Sequence, residues 1–439
     1  FFPHQLDFRG RAYPIPMFLN PQGVEHARAL LMFSKGERMG NNSDSSKWLA
    51  IHGANQYGED KTSLEERVQW VKDNEEFILE SGRDPLNHDF WRSADKPFSF
   101  LAFCFEWLGY KENGPNHITQ IPVSVDGTCN GLQVFSLLLR DEVGGAATNL
   151  IPSNKPQDIY KIVADKTIEA LNQETSNDKF SEKYFMTKKE MAEEWLRIGI
   201  NRKLTKRPVM VVPYSGTLFS CRQYIEEYLR DEVKYHNFGD NVLHPTNYLA
   251  QIVWQQIGNT VVKAREAMTW LQEISRLASQ EDLPLTWSTP SGFIVLQQYR
   301  EINNRRIETK LGESMVKLKV ASEGSRLSRR RQRSGCSPNF IHSLDSAAMA
   351  LVTCKMKNRG IHHFAMIHDS YGVHATNVEL LSKSLRKVFV EMFEDDLLEK
   401  FKEEISQVLS KRNQRKIPPL PKKGKLNLHE VLESEYFFA

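Results

Sequence analysis

Cysteine is scarce: the five at 104, 129, 221, 336 and 354 are odd in number, widely spaced and without a Cys-x-x-Cys pair, which argues against a disulfide framework and a zinc knuckle. A reducing compartment is the expectation. Long apolar runs are also missing. The longest, FSFLAFCFEWLGY from Phe98, falls short of the ~20 residues that span a bilayer, and no signal-peptide pattern precedes it. The chain is therefore expected to be soluble, with no membrane partner. Nor is there an excess of one charge. Fifty-eight Lys+Arg against 55 Asp+Glu leave +3, so any contact with nucleic acid has to come from local patches. No internal repeat is visible, and the only biased segments are SRLSRRRQRS from Ser325 and KIPPLPKKGK from Lys416. What is present is ordinary globular composition, 40% hydrophobic and 26% charged, in a length that allows roughly three domains of ~150 residues.

Local patterns indicate a mixed, mostly helical fold with small sheets. Ser63 and Glu66 form a capping-box pattern ahead of Val68, Trp70, Val71, Phe77 and Ile78, which predicts a helix burying that face, with Lys61 just before its N-terminus. The proline-free run from Asn247 to Gln280 predicts one or two long helices. LTWSTPSGFIVLQQY from Leu285 reads as a hairpin turning at Pro290-Ser291-Gly292.

Chemistry-bearing residues concentrate in three places. In IPVSVDGTCNGLQVFSLLLRDE, from Ile121, the β-branched Val123 and Val125 lead to Asp126, and Leu132, Phe135, Leu138 and Leu139 then recur at helical spacing, so Asp126 ends a strand. FAMIHDSYGVH, from Phe364, repeats the device with His368-Asp369 ahead of a turn expected at Ser370-Tyr371-Gly372. In GINRKLTKRPVMVVPYSGT, from Gly199, Arg202, Lys206, Met210 and Tyr214 fall at intervals of four. On one helix face, Lys206 to Tyr214 would cover ~12 Å, the reach of a nucleoside triphosphate, with a kink or late start expected at Pro208. Two ionised carboxylates ~4 Å apart repel by about 4 kcal/mol at an effective dielectric near 20. Divalent cations between them remove that cost, and magnesium takes one or two carboxylates together with phosphate oxygens. A cationic helix opposite such a pair points to nucleotidyl transfer by two metal ions, ~4 Å apart.

With these motifs in view, the sequence closely resembles the single-subunit DNA-directed RNA polymerases of T-odd bacteriophages, with mitochondrial and plastid polymerases as more distant relatives. The resemblance runs from DFRGRAY through HGAN, FLAFCFE, DGTCNG, LRDEVGG, QDIY, TKRPVM, PNFIHS and IHDS to ESEYFFA. It implies two Mg2+ ions held by the catalytic carboxylates Asp126 and Asp369 with the Gly127 carbonyl. It also implies a catalytic Lys206 on the triphosphate, further triphosphate contacts from Arg202 and Lys61, and Tyr160 and Tyr214 near the sugar, Tyr214 separating ribose from deoxyribose. His342 would read the minor groove of the growing hybrid, and Arg9 and Arg11 would contact phosphates, Gly10 permitting close approach. Two departures stand beside the site: Ser215 replaces a usual glycine, and Val134 replaces a histidine.

The implied fold is a right hand: palm over about 1–142 and 343–439, and fingers over 143–342 with a promoter-specificity loop at about 300–333. Residues 305–333 carry ten Lys+Arg, Arg305 among them, against three Glu, a net of +7 suited to guanine edges or phosphates. Such polymerases are about twice this length. Phe1 is therefore expected to lie inside the palm of a larger protein, with the N-terminal domain and most of the thumb outside this chain. The implied partners are promoter-bearing double-stranded DNA, a template strand, the RNA transcript and ribonucleoside triphosphates, acting with a monomer. The implied setting is the cytoplasm of a phage-infected bacterium, with the mitochondrial matrix or plastid as second choice. Two rival readings are a DNA polymerase of the related family and a noncatalytic nucleic-acid-binding fragment. Those DNA polymerases place a glutamate five residues after the first aspartate to block a 2′-hydroxyl, whereas this chain has Gly131 there.

Overall fold

Apolar residues at helical spacing dominate the sequence, and the computed structural model, which describes residues 1–439, is mostly helical with small antiparallel sheets. A short hairpin, β1 (His4–Leu6) and β2 (Ala12–Pro14), opens the chain. Four helices follow: α1 (Ser43–Tyr57), α2 (Leu64–Asp73), α3 (Glu75–Arg83) and α4 (Pro97–Asn113). The capping box at Ser63 is formed as the sequence indicates, both reciprocal bonds being present. The single helix expected beyond it is instead two: the chain breaks at Asn74, whose side chain donates back to the Trp70 carbonyl, and Phe77 is left 51% exposed. The apolar stretch at Phe98 is α4, which begins with Pro97 in its first turn and buries Phe100 and Phe103 completely. No helix is long and apolar enough to cross a membrane, and all five cysteines are free.

The element that positions the site is a three-stranded antiparallel sheet with β3 (Val123–Asp126) at one edge, paired to β9 (Ser370–Val373), which pairs in turn to β8 (Ala365–Ile367). Behind β3, helix α5 (Asn130–Leu139) is buried along its whole length, Val134 included. The segment between these strands supplies α6 (Ile159–Asn172), α7 (Arg202–Met210), α8 (Leu218–Glu232), α9 (Leu243–Thr260) and α10 (Val262–Gln280), so the proline-free run forms two helices. The hairpin expected at Leu285 is β4 (Leu285–Ser288) and β5 (Ile294–Gln297), closed by Gly292 N–H donating to the Thr289 carbonyl. A long exposed hairpin, β6 (Arg300–Leu311) and β7 (Ser314–Leu327), leads into α11 (Arg329–Lys357), and α12 (Val378–Glu394) follows the sheet. One continuous apolar core runs from Met39 to Phe438, with Val125, Phe135, Tyr371 and Phe437 in it.

Candidate active site

Asp126 ends β3, as its strand-end pattern predicts. Asp369 is placed differently from expectation. Ser370–Val373 is a strand rather than a turn, and the reversal is the two-residue His368-Asp369 link, with Ile367 opposite Ser370 and His368 at φ +55°. The apolar side chains of Tyr371 and Val373 explain the difference, because both are buried in the core and need the extended backbone that alternates them inward. Register then sets the two acids side by side: Asp126 lies opposite Ser370, and Gly127 N–H donates to the Asp369 carbonyl at 3.4 Å. Neither carboxylate forms a salt bridge. Burial, then the nearby charge of Asp126, pushes the Asp369 carboxyl above the usual range. No cluster of three or more His, Cys, Asp and Glu exists, and the acidic side chains brought together here are a pair. That pair fits magnesium, which takes few carboxylates and keeps its remaining positions for phosphate and water. Gly127 is also bridged to Phe438, whose ring packs edge-on against Tyr371.

The basic cluster is built by α7 and its neighbours. Asn201 caps α7 by accepting from Leu204 N–H. Pro208 lacks an N–H to donate, and the helix ends at Met210. Tyr214 lies beyond it, in the 3-10 turn Val212–Tyr214, so the single four-residue face expected from Arg202 to Tyr214 stops at Met210. Within α7, Lys206 forms no ion pair, and burial followed by the charges of Arg202 and Lys61 lowers its pKa. Arg202 lies 5.2 Å from the Tyr160 ring centroid, and its Nε donates to Asp158 at 2.5 Å. Thr205 Oγ1 donates to the Tyr160 carbonyl at 2.7 Å, tying α7 to α6. Lys61 lies before α2, with its Nζ on Asp60 at 2.8 Å. Lys61, Tyr160, Arg202 and Lys206 are thus brought together. Asp158 was not singled out from the sequence, yet it both caps α6 and orients Arg202; an aspartate directly before an apolar helical run is the local sign of such a cap.

Tyr214 is half-buried, and its hydroxyl has no partner within the protein. A Cβ on Gly131 would meet Pro213 Cβ at 2.8 Å and the Tyr214 Oη at 3.1 Å, so the turn and the Tyr214 hydroxyl can pack this close to the α5 backbone because residue 131 has no side chain. His342 lies against the Tyr214 ring, centroids 4.8 Å apart at 32°. Ser215 adopts φ +65°, and its hydroxyl donates to the Ser334 carbonyl at 2.7 Å. Pro338 leaves that carbonyl without its helical donor four residues on, so the serine supplies the missing partner. Ser337 Oγ returns a bond to the Pro213 carbonyl at 3.1 Å, and the turn is stitched to α11 twice.

Arg9 and Arg11 each form hydrogen bonds inside the protein. Arg9 Nε and Nη2 bond Asp7 at 2.9 and 2.6 Å, and Nη1 contacts His342 Nδ1 at 2.7 Å. Arg11 bonds both oxygens of the buried Asp345, with Nε at 3.0 Å. Gly10 between them, at φ +87°, packs against α11, where a Cβ would come 2.9 Å from Ser346 Oγ. Arg305 is exposed on β6, in a hairpin that packs chiefly on itself. The residues expected to form a loop to 333 are strands as far as Leu327 and helix from Arg329.

The chain thus carries an acidic pair on a small antiparallel sheet and a cluster of lysine, arginine and tyrosine on neighbouring helices. The chain belongs to the DNA-dependent RNA polymerase family, whose model matches residues 39–416. It is 38% identical over its whole length to the DNA-directed RNA polymerase of Enterobacteria phage K11, covering 52% of that protein. It is 36% identical to T7 RNA polymerase of Escherichia phage T7, covering 53% of it. The chloroplastic/mitochondrial polymerase 2B of Nicotiana tabacum is 34% identical, with 42% covered. The chain thus spans about half the length of the curated relatives it matches. Among solved structures, the POL domain of Pol1 from M. smegmatis in complex with DNA primer-template and dNTP covers 85% of this chain and 66% of its own, at 10% identity and TM-score 0.33, a likeness too distant to bear on the fold.

Proposed function

We propose that the whole protein is a DNA-directed RNA polymerase that adds ribonucleotides to an RNA 3′ end on a DNA template, with residues 1–142 and 343–439 as palm and 143–342 as fingers. The observation that carries this reading is the register of the three-stranded sheet, which puts Asp126 beside Asp369 in a chain of this family. Asp126, Asp369 and the Gly127 carbonyl would hold two magnesium ions. Bound there, the metal supplies activation of the 3′-hydroxyl and charge stabilisation on the pyrophosphate. The protein's own residues bind and orient the nucleotide. Lys206, with no acidic partner, takes the triphosphate and is placed to give a proton to pyrophosphate. Arg202 and Lys61 add positive charge, Tyr160 lines the sugar side, and Tyr214, whose hydroxyl packs beside Gly131, reads the 2′-hydroxyl. His342 faces the hybrid. The exposed β6–β7 hairpin, with Arg305, meets promoter bases in the major groove, in the cytoplasm of a phage-infected host.

The test is extension of an RNA primer on a DNA template by the full-length protein. Ribonucleotides are expected to be incorporated in preference to deoxyribonucleotides. Asp126→Asn and Asp369→Asn are expected to abolish extension and leave DNA binding within about twofold, since phosphate contacts are spread over many basic residues. Extension by either variant above a few per cent of wild type would sink the assignment.

A further inference from the structure

The contact between Arg9 and His342 fixes the position of a proton. A guanidinium carries donors only, so His342 Nδ1, 2.7 Å from Arg9 Nη1, is the acceptor, and the single proton of the neutral ring is on Nε2. The guanidinium cannot easily turn away. Asp7 accepts from its Nε at 2.9 Å and Nη2 at 2.6 Å, and Tyr13 Oη accepts from Nη2 at 3.3 Å. Asp7 is itself anchored by the backbone N–H groups of Arg9 at 2.8 Å and Arg11 at 3.1 Å. Burial, then the charges of Arg11 and Arg9, lowers His342 to about 2, which keeps the ring neutral. Its Nε2 finds no partner in the protein, and the ring lies against Tyr214.

We propose that Arg9 is a positioning residue: by holding His342 in the Nε2–H tautomer, it makes this histidine an obligate hydrogen-bond donor to an acceptor on the minor-groove edge of the base pair beside Tyr214. Purine N3 and pyrimidine O2 are such acceptors and occur in every base pair, so the contact tests pairing geometry without reading sequence. The inference rests on the polymerase reading for the identity of the acceptor. The tautomer itself does not depend on that reading.

The experiment has two arms, both on the full-length protein. Side-chain 15N labelling of histidine, with His342→Gln to assign the signal, reads the tautomer directly. Wild type and Arg9→Lys, which keeps a donor, are expected to show Nε2–H alone, whereas Arg9→Leu should show a measurable share of Nδ1–H. A wild-type Nδ1–H signal, or an Arg9→Leu spectrum identical to wild type, overturns the proposal. The second arm compares extension from a terminal adenosine and from 3-deazaadenosine, which lacks the N3 acceptor. Wild type should lose about fivefold on the analogue, Arg9→Lys should keep that loss, and Arg9→Leu should be insensitive to the change. An Arg9→Leu enzyme that retains the full loss overturns the proposal. If wild type extends neither primer, the polymerase reading fails, and the labelled spectrum still decides the assignment of Arg9.

Discussion

Tyr214 holds a hydroxyl that no protein group satisfies beside a glycine whose missing side chain leaves it space. In Tyr214→Phe the ring still packs on His342, so ribonucleotide turnover should fall only modestly. The ratio of kcat/KM for ribo- over deoxyribonucleotides should drop roughly tenfold, the size of one lost hydrogen bond to the 2′-hydroxyl. An unchanged ratio would move discrimination to another residue. At this scale the sequence was legible where a functional residue carries a local signature. Asp126 ends its strand and Lys61 precedes a capping box, as their local patterns predict, whereas Asp369 falls in the turn between two strands. The contact between Arg9 and His342 was not legible, because the two residues lie 333 positions apart and only folding brings them together.

Between elements, the turn after α7 shows two local violations that cancel. Ser215 has a left-handed backbone that costs about 1 kcal/mol or more in a residue with a side chain, and Pro338 leaves a helix carbonyl without a donor. The hydroxyl of the first answers the second. Ser215→Ala keeps the strain and loses the bond, and should destabilise the protein by about 0.5–1 kcal/mol. Ser215→Gly loses the bond and the strain together and should be close to neutral. Urea midpoints at unchanged m-value measure both, and an alanine variant as stable as wild type would show that the bond contributes nothing. The element-level reading succeeded at caps and in the proline-free helices, where the signals are local. It overran at Asn74 and at Met210, where helical spacing of side chains continues although the backbone does not. It also mistook β9 for a turn, since Ser370 and Gly372 look like turn residues until Tyr371 and Val373 are seen in the core.

For the molecule as a whole, buried histidine makes stability sensitive to acid. His52 in α1 is fully buried, and burial, then the charge of Lys96, lowers its pKa to about 3. The unfolded chain, with an ordinary histidine near 6.5, binds the extra proton first. This contribution is complete above about pH 6.5 and is lost as pH falls toward about 3, at roughly 1.4 kcal/mol per pH unit. Wild type should therefore lose stability more steeply than His52→Gln between pH 6 and pH 4, and parallel curves would refute the assignment. The same long-range packing governs when the site can exist at all. Asp126 and Asp369 are separated by more than half the chain, and Phe438 is bridged to Gly127 directly after β3. During synthesis the helices between them can form from near neighbours, while contacts of such sequence separation close late. A nascent chain emerging from the ribosome therefore carries its basic helices well before it brings the two acids together.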